Sequence, residues 1–154
     1  MGFIDLMGEI MADTVSKEKR HDTMSKIKSN DTKIEIMVRH WLYHHGIRYR
    51  KNCKDITGKP DIAIKKYKIA IFVNGCFWHG HEDCKISHIP KSSVEYWQQK
   101  INKNKHRDEL NKMKLEEDGW NVFLVWECDI NFDFDGTMQQ LLININQSIK
   151  TTEN

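Results

Sequence analysis

Cys76, His81 and Cys84 fall within nine residues, and 43 further residues separate them from Cys128. A tight knuckle plus one distant thiol fixes where two remote stretches of chain must meet if the four side chains close on a metal. Three sulfurs and one imidazole match the tetrahedral demand of structural zinc. The surrounding stretch, residues 75 to 93, is dense in Cys, His and aromatic residues, has no clean period and is poor in long aliphatic side chains. It needs a source of rigidity other than a core, and zinc bonded to deprotonated thiolates supplies one. His79 and His88 compete as ligands, Cys53 could replace Cys128, and free buried cysteines are the plainer alternative. An even number of cysteines would also suit disulfides in a secreted protein. However, Asp5, Glu9 and Asp13 interrupt the opening stretch, unlike a secretory signal, and no run approaches the roughly 18 apolar residues that cross a bilayer. A cytoplasmic chain with no membrane partner is expected.

At 154 residues, with 39% hydrophobic and 30% charged side chains, the chain has the size and composition of one folded domain and excludes a disordered or fibrous class. Residues 16–150 form that domain and 1–15 an extension. The net charge of +2 hides an asymmetry: residues 17–59 carry 12 Lys and Arg against 5 Asp and Glu, and the rest of the chain carries 12 against 17. A basic segment of this kind suits phosphates, although a solvated basic face has the same composition.

Asn30 and Asp31 offer N-cap chemistry ahead of Ile34, Met37, Val38, Trp41 and Leu42, so residues 31–45 are predicted helical, with Gly46 as a stop. A short strand at 47–50 follows, then a hairpin of 60–66 and 67–75 turning around Lys65 and Lys66. Residues 93–118 read as a long polar helix with Val94, Trp97, Ile101, Leu110, Met113 and Leu115 as its apolar stripe. Residues 120–128 form a nearly continuous apolar run, the pattern of a strand buried on both faces. A last amphipathic helix covers 136–149. The predicted architecture is α/β, with a mixed central sheet sandwiched by helices.

Within this frame a few residues could carry chemistry. Asp61 follows Pro60 at the start of an apolar strand, where a carboxylate could hold Mg²⁺, a hard ion suited to phosphodiester chemistry; a turn-forming role is the plainer reading. Glu35 lies four residues before Arg39, the spacing of an ordinary exposed ion pair. His79, next to the proposed zinc ligands, could take a proton from water, or be merely solvated. Phe77 and Trp78 are adjacent and cannot both enter one core, so at least one should be partly exposed. Such side chains can wedge between base pairs at a cost of a few kcal/mol of unstacking, which favours sites already weakened by a mismatch. Trp97 could join them, although its place on the apolar stripe points to the core.

Together these residues resemble the very short patch repair endonucleases, the Vsr family of mismatch nickases. The likeness runs from about residue 16 to 130. It includes Arg20-x3-Met24-x2-Ile27-x3-Asp31-Thr32-x-Ile34-Glu35, then Gly58-Lys59-Pro60-Asp61, and Ile71-Phe72-Val73-Asn74-Gly75-Cys76-Phe77-Trp78-His79. Tyr96-Trp97-x2-Lys100-Ile101-x2-Asn104, Gly119-Trp120 and Val125-Trp126-Glu127-Cys128 follow.

The resemblance implies a three-layer, restriction-endonuclease-like fold of the PD-(D/E)XK type, with structural Zn²⁺ and catalytic Mg²⁺. It implies hydrolysis of one phosphodiester bond 5′ to the thymine of a T:G mismatch left by deamination of 5-methylcytosine. By position, Asp61 and the backbone carbonyl of Val73 would hold Mg²⁺, His79 would be the general base and Glu35 an acidic residue near the metal. Cys76, His81, Cys84 and Cys128 would hold zinc. Phe77, Trp78 and Trp97 would form the intercalating wedge, and the basic segment before Asp31 would embrace the duplex. Asn74 stands where the best known members carry a second His; Asn transfers no proton at neutral pH but can orient water or phosphate. The implied partners are mismatched double-stranded DNA, a cytosine-5 methyltransferase as a functional link, and mismatch-repair proteins. A monomer is the simpler expectation, since one nick needs one active site. A restriction-like nuclease of other specificity and a zinc-stabilised DNA-binding module without catalysis are the rival readings.

Overall fold

The computed structural model describes residues 31–153. The expected extension at 1–15 and the basic segment before Asp31 lie outside the described residues. Helix α1, Lys33–His44, is followed by the two-residue strand β1, Arg50–Lys51, and by strand β2, Ile62–Ile64. A 3₁₀ turn at Lys65–Tyr67 leads into strand β3, Ile69–Asn74; helix α2, Val94–Glu117, then carries the chain to strand β4, Asn121–Trp126. Helices α3, Glu127–Phe132, and α4, Phe134–Glu153, complete the chain.

The strands form one sheet in the order β1-β2-β3-β4. β1 and β2, and β2 and β3, run antiparallel, with Ile62 opposite Ile71. β3 and β4 run parallel, from Ile69 opposite Asn121 to Asn74 opposite Trp126, with α2 as the crossover that parallel pairing requires. The sheet is therefore mixed, as expected.

Alternation along the strands assigns its two faces. Ile62, Ile64, Ile69, Ile71, Val73 and Val125 form one face and pack against Val38 and Leu42 of α1, Ile130 of α3, and Met138, Leu141 and Ile145 of α4. Ala63 and Ala70 form the other with Phe72 and Val122, packed against Leu115 of α2 and the buried Cys53 and Ile56. The small Ala side chains sit in the middle of the face that α2 covers. Helices thus lie on both faces, and the loops after β3 and β4 emerge at the same sheet end.

Several local expectations are corrected. The N-cap of α1 is Thr32, whose Oγ1 accepts the Glu35 N–H at 3.4 Å, rather than Asp31, which takes a left-handed φ of 54°; Asn30 lies outside the described residues. The strand predicted at 47–50 shrinks to Arg50–Lys51, because Ile47 turns into the core instead of pairing. The hairpin closes through the 3₁₀ turn and a left-handed Lys68. On α2 only Trp97, Ile101 and Leu115 of the predicted stripe are buried; Leu110 and Met113 are more than half exposed. β4 is not buried on both faces. Among the described residues it is the sheet edge, paired only with β3, and Leu124 is 42% exposed. The predicted terminal helix is longer, and the short α3 before it, which carries Cys128, has too few residues to show a period.

Candidate functional site

Asp61 directly precedes β2, and its Oδ2 accepts the backbone N–H of Val73 on the neighbouring strand at 2.7 Å. Its side chain therefore spans the two strands instead of closing the Gly-Lys-Pro-Asp turn. Burial pushes the Asp61 carboxyl up to about 7, the nearby Glu35 charge adds to this, and the Val73 N–H, His79 and Arg39 act in the opposite direction. Glu35 is buried, not exposed as an ordinary surface pair would be. Its Oε2 accepts the Asp31 N–H at 2.8 Å and lies 3.6 Å from Arg39 Nη1. In a capping box the glutamate returns to the N-cap N–H; here it reaches one residue further back. Burial raises the Glu35 carboxyl as well, opposed by the Asp31 N–H, Thr32 and Arg39. Glu35 thus raises the proton affinity of Asp61, and two neighbouring carboxylates of this kind are a donor set that a hard divalent cation satisfies.

The loop after β3 brings a base to the same sheet end. His79 Nδ1 lies 2.5 Å from Asp108 Oδ2 on α2, which leaves Nε2 as the nitrogen that can face a reactant. One turn earlier on α2, Asn104 Nδ2 donates to the Trp78 carbonyl at 2.9 Å. Gly80 lets the loop press on this helix: its φ is 59°, and an added Cβ would meet Ile101 and Lys105 at 2.6–2.7 Å. A cavity of about 350 Å³ opens between α2 and the ends of β3 and β4, lined by Asn74, His79 and Asp108 together with Phe72, Leu124 and Trp126. Asn74 is buried at the last residue of β3 and shares this cavity with the His79–Asp108 pair.

On the other side of the loop, donor atoms of Cys76, His81, Cys84 and Cys128 all lie within 4.8 Å of one another. Tetrahedral donors with bonds of about 2.0–2.3 Å sit roughly 3.6–3.8 Å apart, so one ion fits with small side-chain movements. His81 Nδ1 is 3.4 Å from Cys128 Sγ, and the His81 ring stacks on Trp126 at 4.0 Å. The Cys128 N–H points at Cys76 Sγ at 3.3 Å. Burial pushes the Cys84 thiol up, but the backbone N–H groups of Ile86 and Ser87 together with the Cys128 and Cys76 side chains outweigh it and the net shift is downward, towards the thiolate a metal needs. The competing ligands lie elsewhere: Cys53 is in the core under α2, His88 is tied to the Lys85 carbonyl, and His79 is paired with Asp108.

The aromatic residues form a cluster between this loop and α2. Phe77 and Trp97 are buried with rings 5.4 Å apart, and Trp78 is half-buried against both. Lys100 Nζ sits 5.8 Å from the Trp78 ring.

Comparison with known proteins bears on this arrangement. A family model described as DNA mismatch endonuclease Vsr matches residues 12–85. A type II nicking enzyme, V.NmeAIP of Neisseria meningitidis, is 48% identical over 120 residues, covering 78% of this chain and 85% of that protein. V.XorIIP of Xanthomonas oryzae pv. oryzae, also a type II nicking enzyme, is 40% identical over 121 residues, 79% of this chain and 88% of the relative. The DNA mismatch endonuclease Vsr of Escherichia coli is 38% identical over 118 residues, 77% and 75% of the two chains. The chain belongs to the Vsr family. In this Vsr-family chain the Cys/His set and Asp61 sit about one sheet end. Among the described residues, no helix is long and apolar enough to cross a membrane.

Some participants escaped the sequence reading. Asp108 sits in a polar helix where one more charge is unremarkable; the only signal was that a working imidazole needs an orienting carboxylate. Glu127 is buried at 1% exposure and accepts the Cys76 N–H at 3.3 Å, tying the start of the metal loop to the end of β4.

Proposed function

We propose that this protein is a Mg²⁺-dependent, strand-specific DNA endonuclease that nicks 5′ to the thymine of a T:G mismatch arising from 5-methylcytosine deamination. The observation that carries the reading is the His79–Asp108 pair at 2.5 Å, at the same sheet end as the raised carboxyl of Asp61. Family membership supplies the substrate class: the relatives are named as mismatch and nicking endonucleases.

Asp61 and the Val73 carbonyl, with Glu35 nearby, would hold Mg²⁺, and the hard-oxygen donors fit it. When bound, that ion supplies charge stabilisation at the phosphate and the leaving oxygen. His79 takes the proton from water at Nε2 as the water oxygen bonds to phosphorus and one P–O bond breaks. Asp108 fixes the ring and stabilises the imidazolium that results. Asn74, unable to exchange a proton, orients water or a phosphate oxygen by hydrogen bonding. Cys76, His81, Cys84 and Cys128 would hold zinc with no open position, so its task is to keep the loop, and with it His79, in place.

Trp78, backed by Phe77 and Trp97, would enter the stack beside the mismatch, where unstacking costs least. Lys100 close to Trp78 suits the flanking phosphate backbone. A restriction-endonuclease-like fold, a monomeric state and a functional link to a cytosine-5 methyltransferase and to mismatch-repair proteins belong to the same proposal.

The test is incubation of the purified protein with matched and T:G duplexes, each strand labelled separately, with Mg²⁺ or with chelator. A Mg²⁺-dependent nick confined to the thymine strand is expected. Equal cutting of the matched duplex would instead mark a nuclease of other specificity, and binding without cutting a module that has lost catalysis.

A further inference from the structure

We infer that Asp31 is a positioning residue that sets Glu35 against Asp61 for the divalent cation, with Arg39 and Asn52 as its anchors. The inference rests on the metal assignment made above and adds residues that do not themselves bind the ion.

Glu35 and Asp61 come from segments 26 residues apart, one opening α1 and the other opening β2, and Asp31 stands between them. Its N–H donates to Glu35 Oε2 at 2.8 Å. Its Oδ1 accepts Asn52 Nδ2 at 3.2 Å and Arg39 Nη2 at 2.8 Å. Asn52 in turn donates its backbone N–H to the Asp61 carbonyl at 3.0 Å. A hydrogen-bonded chain therefore runs from one carboxylate residue to the other.

Helix capping does not account for this, because Thr32 is the N-cap and the bond to Asn52 reaches a different segment. Backbone geometry points the same way. Asp31 and Asn52 have φ of 54° and 51°, a region that non-glycine residues rarely adopt and that clusters where surrounding structure and function demand it.

Arg39 completes the device. Its side chain is 7% exposed, and its hydrogen bond goes to Asp31 rather than to Glu35; Nη1 lies 3.6 Å from Glu35 without a hydrogen-bond partner of its own among the described residues. Glu35 is thus hydrogen-bonded by a neutral backbone donor, with the Arg39 guanidinium only at ion-pair distance, while Asp31 compensates the buried guanidinium.

The test is Mn²⁺ binding to the full-length, zinc-loaded chain, read as free Mn²⁺ by electron paramagnetic resonance, with the melting temperature measured without Mn²⁺. Asp31→Asn removes the ion pair. Asn52→Gly removes the side-chain link while easing the positive φ, so it keeps the test alive if Asp31→Asn does not fold. Both are expected to weaken Mn²⁺ about tenfold, as loss of groups that orient metal ligands does, and to raise the Mn²⁺ concentration for half-maximal nicking in parallel. A purely structural role would lower the melting temperature and leave the Mn²⁺ affinity alone. Wild-type affinity in both variants overturns the inference. Asp61→Asn separates the two levels: if that variant also binds Mn²⁺ like the parent, the metal assignment itself falls and takes the inference with it.

Discussion

Asp108 holds Nδ1 of His79 at 2.5 Å across the contact between α2 and the loop after β3. The pair gives a His in an irregular loop, next to Gly80, the fixed orientation that proton transfer needs, because the helix side of the contact is 24 residues of regular structure.

Asp108→Asn should keep the geometry while favouring the wrong imidazole tautomer. Single-turnover nicking is expected to slow by about 10²–10⁴-fold, the usual range for losing effective general-base catalysis, with DNA affinity changed only a few-fold. A rate within threefold of wild type would remove Asp108 from the mechanism.

Asp61 sets a pH dependence whose sign differs from that of most carboxylates. It ionises at about 7 in the folded, metal-free protein and at about 3.9 in an unfolded chain. Between those values the folded state keeps a proton that the unfolded chain has released, so stability falls as pH rises from about 4 to about 7 and is level above that. Asp61→Asn should therefore match the parent at pH 4 and exceed it by up to about 4 kcal/mol at pH 8, while losing nicking. Denaturant melts of both proteins without divalent cation, at the two pH values, check this.

Cys84→Ser should release the bound metal and lower the melting temperature. A chromogenic chelator after thiol modification measures the metal, and thermal unfolding the rest. A variant that retains one equivalent of zinc and its melting temperature takes Cys84 out of the site. Loss of nicking in step with loss of metal is the expected result, since the cluster anchors the loop that carries His79.

Trp78 and Trp97 should separate by phenotype. Trp97 is fully buried, and Trp97→Ala is expected to cost about 3–5 kcal/mol of stability. Trp78 is half-buried beside Lys100; Trp78→Ala should leave the melting temperature within a few degrees yet weaken T:G duplex binding by roughly five- to a hundredfold, the worth of one base–aromatic stack. Fluorescence anisotropy with matched and mismatched duplexes checks the second, and an equal loss on both duplexes would argue against a role in mismatch selection.

What could be read from the sequence was local. The Cys/His spacing led to the metal cluster, Gly-Lys-Pro-Asp placed Asp61 at a strand start, and hydrophobic periodicity located α1, the hairpin and α2 within a few residues. What could not be read depends on long-range partners. The apolar run of β4 looks the same in an edge strand as in a central one, and only the sheet order shows which it is. Glu35 is polar and so scores as exposed in any periodic count, yet Asp31 and Arg39 make its burial tolerable. Asp108 is 29 residues from the histidine it orients, and nothing in a charged helix marks which of its carboxylates turns inward.

The parallel pairing of β3 and β4 ends at Asn74 opposite Trp126, and Cys76 and Cys128 each lie two residues beyond that last rung. The four-residue cluster thus works as a gauge of strand alignment. A slip of one position between the strands would offset the two sulfurs by about 3.3 Å, more than a metal–sulfur bond, and the ion would no longer close the site. A metal held by the four residues would lock only the correctly aligned sheet, and with it the loop that carries His79.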